Sequence, residues 1–194
     1  MTKFILHGGK SRVDCENNRK FYREMFNIDK ENVNLLIISF ARPKDKWRLP
    51  QEEVDKIIRL NPDKQIYFQS ATQEGLIRQL EFADLVYLRG GDYTHQLKDI
   101  LGNVKDLKSH FYGKIISGSS AGFIALAKYY FDQDDDTIQE GLNILPIKAI
   151  SHFGLPNDYG RDFKKELEEL KEYKKEEALE TIALKETEFI IKCQ

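Results

Sequence analysis

The sequence predicts an α/β fold: a mostly parallel sheet covered by helices on both faces. Three observations carry this. Short apolar runs alternate with helical stretches along the whole chain. Leu35-Leu36-Ile37-Ile38 is apolar at successive positions, so both faces of that strand are buried, as in the middle of a parallel sheet. Residues 114–127 pass from an apolar strand through Gly118-Ser119-Ser120-Ala121-Gly122 straight into an apolar helix. Small residues on either side allow that sharp turn and leave its central serine on an exposed elbow.

The elements follow in order. Residues 3–7 read as a first strand, closed by Gly8-Gly9. Residues 17–26 read as a helix, with Phe21/Met25 and Tyr22/Phe26 four apart. Residues 34–40 are the second strand. Residues 50–60 are helical, with Val54, Ile57 and Ile58 on one face and acidic residues in the first turn. Residues 65–68 form a strand, 72–82 a helix, and 85–88 a strand broken by Gly90-Gly91. Two helical pieces, 93–101 and 104–112, lead to the strand at 114–117 that enters the elbow. Asp132-Gln133-Asp134-Asp135-Asp136 reads as an acidic loop. Residues 147–151 form a strand ending at His152-Phe153-Gly154. Residues 161–179 read as one long helix with Phe163, Leu167, Leu170 and Tyr173 as its buried stripe, and 171–177 as its solvated charge run. Residues 181–184 and 189–192, around Lys185-Glu186-Thr187, read as an antiparallel hairpin. With no repeat or linker, residues 1–194 are expected to be one domain.

Composition narrows the function classes. Of 194 residues, 41% are hydrophobic and 32% charged, and the net charge of −2 gives no basic surface for tracking phosphates, so a nucleic acid is not expected as partner. No apolar run approaches the ~18 residues needed to span a bilayer. The two cysteines, Cys15 and Cys193, form no C-x-x-C, which argues against a disulfide framework or structural zinc. The N-terminus lacks a signal-peptide core, so a cytoplasmic location is expected.

A reactive serine needs a base, an orienting acid and an oxyanion hole. In parallel α/β sheets the ligand crevice lies at the carboxyl ends of the strands. Ser120, His152 and Gly90-Gly91 all fall there. His152 is the preferred base. His7 also ends a strand and is the distant second, while His95 and His110 lie on predicted helices. The oxyanion donors would be the backbone N–H groups of Ala121 and Gly91, and Asp92 after the glycines is a helix cap or a substrate contact. For the acid, Asp132, Asp134, Asp135 and Asp136 all remain candidates on this reading.

These residues resemble a known group. Gly118-Ser119-Ser120-Ala121-Gly122, Leu88-Arg89-Gly90-Gly91-Asp92 and Ser151-His152-Phe153 are similar to motifs of the dipeptidase E/cyanophycinase family of serine peptidases, and the motif order extends the likeness over nearly the whole chain. The resemblance implies a three-layer α/β/α sandwich, class I glutamine amidotransferase-like and flavodoxin-like, ending in the β-hairpin. It implies Ser120 as nucleophile, His152 as base, Asp135 as acid, and Gly91 and Ala121 as oxyanion donors. It places Arg161 where an arginine could bind a substrate carboxylate, although a plain helix-start residue fits equally. The expected function is a serine peptidase acting on short peptides, after an acidic residue where there is a preference. Another acyl hydrolase with the same groups, or a non-catalytic binding domain of the same fold, are the alternatives. No metal or cofactor is expected. The expected partner is a small peptide, with no membrane, and a homodimer stays open.

Overall fold

The computed structural model describes residues 1–154 and 161–194. Five parallel strands make the body of the fold: β1 (Lys3–His7), β2 (Asn32–Ile38), β3 (Gln65–Ser70), β4 (Leu85–Leu88) and β5 (Ile115–Ser119). With β10 (Phe189–Cys193) they form a six-stranded sheet in the order β10-β1-β5-β4-β2-β3, in which only β10 runs antiparallel, along β1.

Side chains alternate across this sheet with period two. Phe4, Leu6, Leu36, Ile38, Val86 and Leu88 point into one core. Ile5, Leu35, Ile37, Leu85 and Tyr87 point into the other. The second face is covered by α1 (Glu16–Met25), through Phe21, Tyr22 and Met25, and by α2 (Gln51–Leu60), through Ile57. The first face is covered by α3 (Leu76–Phe82), α4 (Thr94–Gly102), α5 (Leu107–Phe111) and α6 (Ala121–Leu126). The result is the three-layer α/β/α arrangement that the alternation of apolar runs predicts.

A second sheet, which the sequence reading does not contain, stands beside the first. Its order is β7-β6-β8-β9, built from β6 (Tyr129–Asp132), β7 (Thr137–Glu140), β8 (Ile147–Ile150) and β9 (Glu180–Ala183). The acidic stretch is the turn of the antiparallel β6–β7 pair. Helix α7 (Phe163–Glu172) packs on this sheet through the fully buried Leu170. The helix ends well before residue 179. The buried ammonium of Lys148 on β8 donates to the carbonyls of Lys171 (2.8 Å) and Tyr173, closing the helix where its last acceptors need donors and its dipole favours a cation.

Both C-terminal strands are present, but they do not pair with each other. β9 lies parallel to β8, and β10 lies antiparallel to β1, so residues 184–188 cross from one sheet to the other instead of turning a hairpin. Period-two hydropathy identifies a strand without naming its neighbour.

His7, the last residue of β1, is fully buried. Its ring faces Asn18 (2.8 Å), Ser119 (3.2 Å) and Phe21. Burial lowers its pKa from 6.5 to about 4; the Asn18 hydrogen bond opposes this, and the nearby His152 adds to it. Because the folded value lies below the unfolded one, unfolding takes up a proton between the two. Stability from this group is therefore complete above pH 6.5 and lost as pH falls toward about 4. The full swing is on the order of 3 kcal/mol. Denaturant unfolding across that window should show this slope in the wild type and not in His7→Asn. Equal slopes would assign the acid sensitivity to other groups.

Candidate functional site

The elbow forms because strand β5 reaches helix α6 with no connecting loop. Ser120 takes φ 50° and ψ −116°, a conformation that non-glycine residues avoid. Its carbonyl accepts the N–H groups of Phe123 (2.8 Å) and Ile124 (3.0 Å), and its own N–H donates to the His7 carbonyl (2.9 Å). A side chain on Gly122 would lie 2.1 Å from the Leu88 carbonyl oxygen, so only glycine lets the helix start so close to β4.

The Ser120 hydroxyl meets His152 Nε2 at 2.8 Å. On the other side of the ring, His152 Nδ1 meets the Glu186 carboxylate at 3.0 Å. A carboxylate only accepts, so Nδ1 carries the hydrogen and Nε2 of the neutral ring is free to accept from the serine. Lys10 Nζ lies 2.9 Å from the second Glu186 oxygen. His152 and Glu186 are only partly exposed, at 24% and 16%. A hydroxyl on an imidazole that a carboxylate orients is an arrangement able to give up its proton during attack on a carbonyl.

The structure brings Ser120 and His152 together, and the carboxylate at the other side of the ring is Glu186 and not Asp135. Asp135 does not hold the imidazole. It sits on the β6–β7 turn, 59% exposed, with its carboxylate 3.6 Å from His95, as is that of Asp132. Asp134 and Asp136 are exposed on the same turn. What this turn offers near His152 is Gln133, whose amide donates to the Ser151 carbonyl at 2.5 Å. Glu186 takes the place at Nδ1 because the crossing of residues 184–188 between the sheets carries it over the ring. Sequence reasoning missed it by treating Lys185-Glu186-Thr187 as the connection of an antiparallel hairpin. The available signal was a carboxylate between two strands whose neighbours the hydropathy pattern does not name.

Ala121 follows the serine directly, and Gly91 lines the cavity beside it, with Gly90 between it and the Ser120 side chain. Ala121 opens α6, and Gly91 follows β4 in a loop held by Arg42 Nε donating to the Gly90 carbonyl (2.8 Å) and by the Tyr93 N–H donating to the Ala41 carbonyl (3.1 Å). Among the described residues neither the Gly91 nor the Ala121 N–H meets an acceptor.

A cavity of about 220 Å³ opens beside Ser120 and His152. Lys10, Arg12, Arg42 and Arg89 line it, against Glu53 and Asp92. Arg89 and Glu53 form a buried pair at 2.6 Å, and Tyr22 and Ser39 complete their hydrogen bonds. Lys10 faces Glu186. Arg12 and Arg42 are left as cations without a carboxylate partner among the described residues. Burial first, then the charges of Arg89 and Arg12, pull Arg42 below its ordinary pKa. Arg161 does not line this cavity. It stands before α7 and grips Glu166 through two hydrogen bonds, at 2.9 and 2.6 Å.

Comparison with known proteins places this geometry. No curated protein sequence matches the chain significantly. Two solved structures share its fold. A peptidase from an acI-B1 Actinobacterium is 17% identical, with a TM-score of 0.63 over 99% of this chain and 83% of its own. A candidate peptidase E protein from Listeria monocytogenes EGD-e is 15% identical, with a TM-score of 0.62 over 100% of this chain and 99% of its own. The profile of peptidase family S51 matches residues 48–193, a span that holds the elbow, His152 and Glu186. The chain belongs to peptidase family S51 and is a serine-type peptidase.

Proposed function

We propose that this peptidase hydrolyses short peptides after an acidic residue, with Ser120 as nucleophile, His152 as general base and Glu186 as the orienting acid. The observation that carries this reading is the run of hydrogen bonds from Ser120 through His152 to Glu186, at 2.8 and 3.0 Å, opening onto a cavity with two guanidinium groups that meet no carboxylate among the described residues. Ser120 Oγ attacks the scissile carbonyl carbon while its proton passes to His152 Nε2. The carbonyl oxygen becomes an oxyanion facing the Gly91 and Ala121 N–H groups. His152 then gives the proton to the leaving amine, and the C–N bond breaks. Water attacks the acyl-enzyme, loses a proton to His152, and releases the acid product and free Ser120. Glu186 stabilises the imidazolium in both steps and remains ionised.

The acidic preference follows from charge. Glu53 balances Arg89, and Glu186 balances Lys10, whereas Arg12 and Arg42 have no carboxylate partner among the described residues. A carboxylate side chain entering the cavity would pair with them. Asp92, exposed at its rim, suits a peptide N–H or ammonium group. A cytoplasmic setting agrees with the two free thiols, Cys15 and Cys193.

Ser120→Ala should fold normally and lose activity on the order of 10⁴-fold or more, measured as kcat on acidic dipeptides. Retained activity would exclude Ser120 as nucleophile. Glu186→Gln should lower kcat by roughly 10²- to 10⁴-fold, because an amide can stabilise the wrong histidine tautomer, while Asp135→Asn stays within a few-fold of wild type. The opposite ranking would return the acid to the β6–β7 turn. Arg42→Ala should reduce kcat/KM for acidic peptides about 10- to 100-fold more than for neutral ones, the range of one charge-assisted hydrogen bond. An equal loss on both would make Arg42 a support for the Gly90 loop and nothing more.

A further inference from the structure

His7 is a buried histidine that the proposed chemistry does not use, yet its carbonyl and ring bond to Ser120, Ser119 and Gly9 beside the site. Asn18 Nδ2 donates to two carbonyls, those of Lys10 (2.8 Å) and Val13 (2.7 Å). That orientation turns Asn18 Oδ1 toward His7 Nε2 at 2.8 Å. An amide oxygen only accepts, so Nε2 must carry the hydrogen. On the other side, the Gly9 backbone N–H, which only donates, points at His7 Nδ1 at 3.1 Å. Nδ1 must therefore be bare. The Ser119 hydroxyl, 3.2 Å away, is free to donate to the same lone pair. Both neighbours thus specify one neutral tautomer, and burial disfavours the charged ring.

What Nδ1 holds is the loop that joins the site. The Gly8 carbonyl accepts the His152 N–H at 2.9 Å, and the Gly9 carbonyl accepts the Thr187 N–H at 3.0 Å, one residue past Glu186. Gly8 N–H donates to the Glu188 carbonyl at 2.9 Å, and the His7 carbonyl takes the Ser120 N–H. The Gly9 backbone also lies against the His152 ring: a Cβ there would come within 2.1 Å of it.

We propose that His7 is a positioning residue for the peptidase site: its bare Nδ1 fixes Gly9, and the Gly8–Gly9 backbone in turn sets His152 and Glu186 in register with Ser120. The proposal rests on the Ser120–His152–Glu186 reading above for its effect on rate.

Two isosteric substitutions separate this role from simple core filling. Asparagine puts an acceptor where imidazole has Nδ1, and glutamine puts a donor where it has Nε2. His7→Gln keeps the bond to Asn18 and loses the hold on Gly9. It should lower kcat by about 10²-fold, the scale of a small misplacement of reacting groups, with KM changed only a few-fold because the cavity cations are untouched. His7→Asn should recover most of that kcat. The downfield proton resonance of His152 Nδ1–H against Glu186 should follow the same order, present in wild type and His7→Asn and lost in His7→Gln. Equal kcat and equal resonances in the two variants would overturn the proposal and leave His7 a packing residue. If neither variant folds, nitrogen NMR of the wild type decides: a bare Nδ1 at neutral pH upholds the proposal, and an Nδ1–H or charged ring refutes it. Activity in Ser120→Ala would sink the serine mechanism separately, and the resonance comparison would still decide the positioning role.

Discussion

The site depends on one seam of backbone hydrogen bonds where the two sheets meet. Gly8 and Gly9, just past β1, bond to His152 after β8 and to Thr187 and Glu188 before β10. Phe153 adds a bond to the Leu184 carbonyl, and Leu184 one to Ile150. Buried backbone groups need partners, so these bonds are obligatory once the strands are placed. β9 is fixed on β8 and β10 on β1, and the crossing between them has little freedom. Glu186 rides on that crossing. The carboxylate at His152 is thus positioned by the pairing of the last two strands.

This explains which parts of the function are legible in the sequence. The three-layer fold is legible because Leu35–Ile38 is apolar on both faces and because helices and strands alternate. Ser120 and Ala121 are legible because the elbow is local: strand, Gly118, serine, Gly122 and helix are contiguous. His152 and Gly91 are legible as residues at strand ends. The acid is different. Glu186 and His152 are 34 positions apart and meet through a pairing that period-two hydropathy cannot assign. Asp135 had the resemblance and a local acidic cluster in its favour, and in three dimensions that cluster turns to His95. The second sheet was hidden for a similar reason. Tyr129–Asp132 is a four-residue strand beside an elbow helix, too short for its pattern to stand apart.

The cavity shows how charge is distributed for recognition. A guanidinium as buried as Arg89, at 2% exposure, is tolerable only with an anion and full hydrogen bonding, which Glu53, Tyr22 and Ser39 provide. Removing Glu53 would leave that charge bare. Lys10 is occupied in a second way, on the Glu186 oxygen that His152 does not take. Among the described residues, the cavity cations without a carboxylate are Arg12 and Arg42. Arg42 donates to the Gly90 carbonyl, so it and the Gly91 N–H meet at one peptide group.

Backbone strain completes the picture. Ser120 and His152 both have positive φ, at 50° and 52°. Each such non-glycine conformation costs on the order of 1–3 kcal/mol and persists only where surrounding bonds over-determine it. Ser120 is held by His7, Phe123 and Ile124, and His152 by Gly8. Two of those four partners are adjacent residues of one short segment, 7–8, at the end of β1. Ser120 and His152 are therefore not strained independently. One segment constrains both, and it does so from the carboxyl end of a central strand, where the flanking strands β5 and β10 leave it no room to shift. That shared support is what turns two unfavourable backbone conformations into a 2.8 Å contact between their side chains.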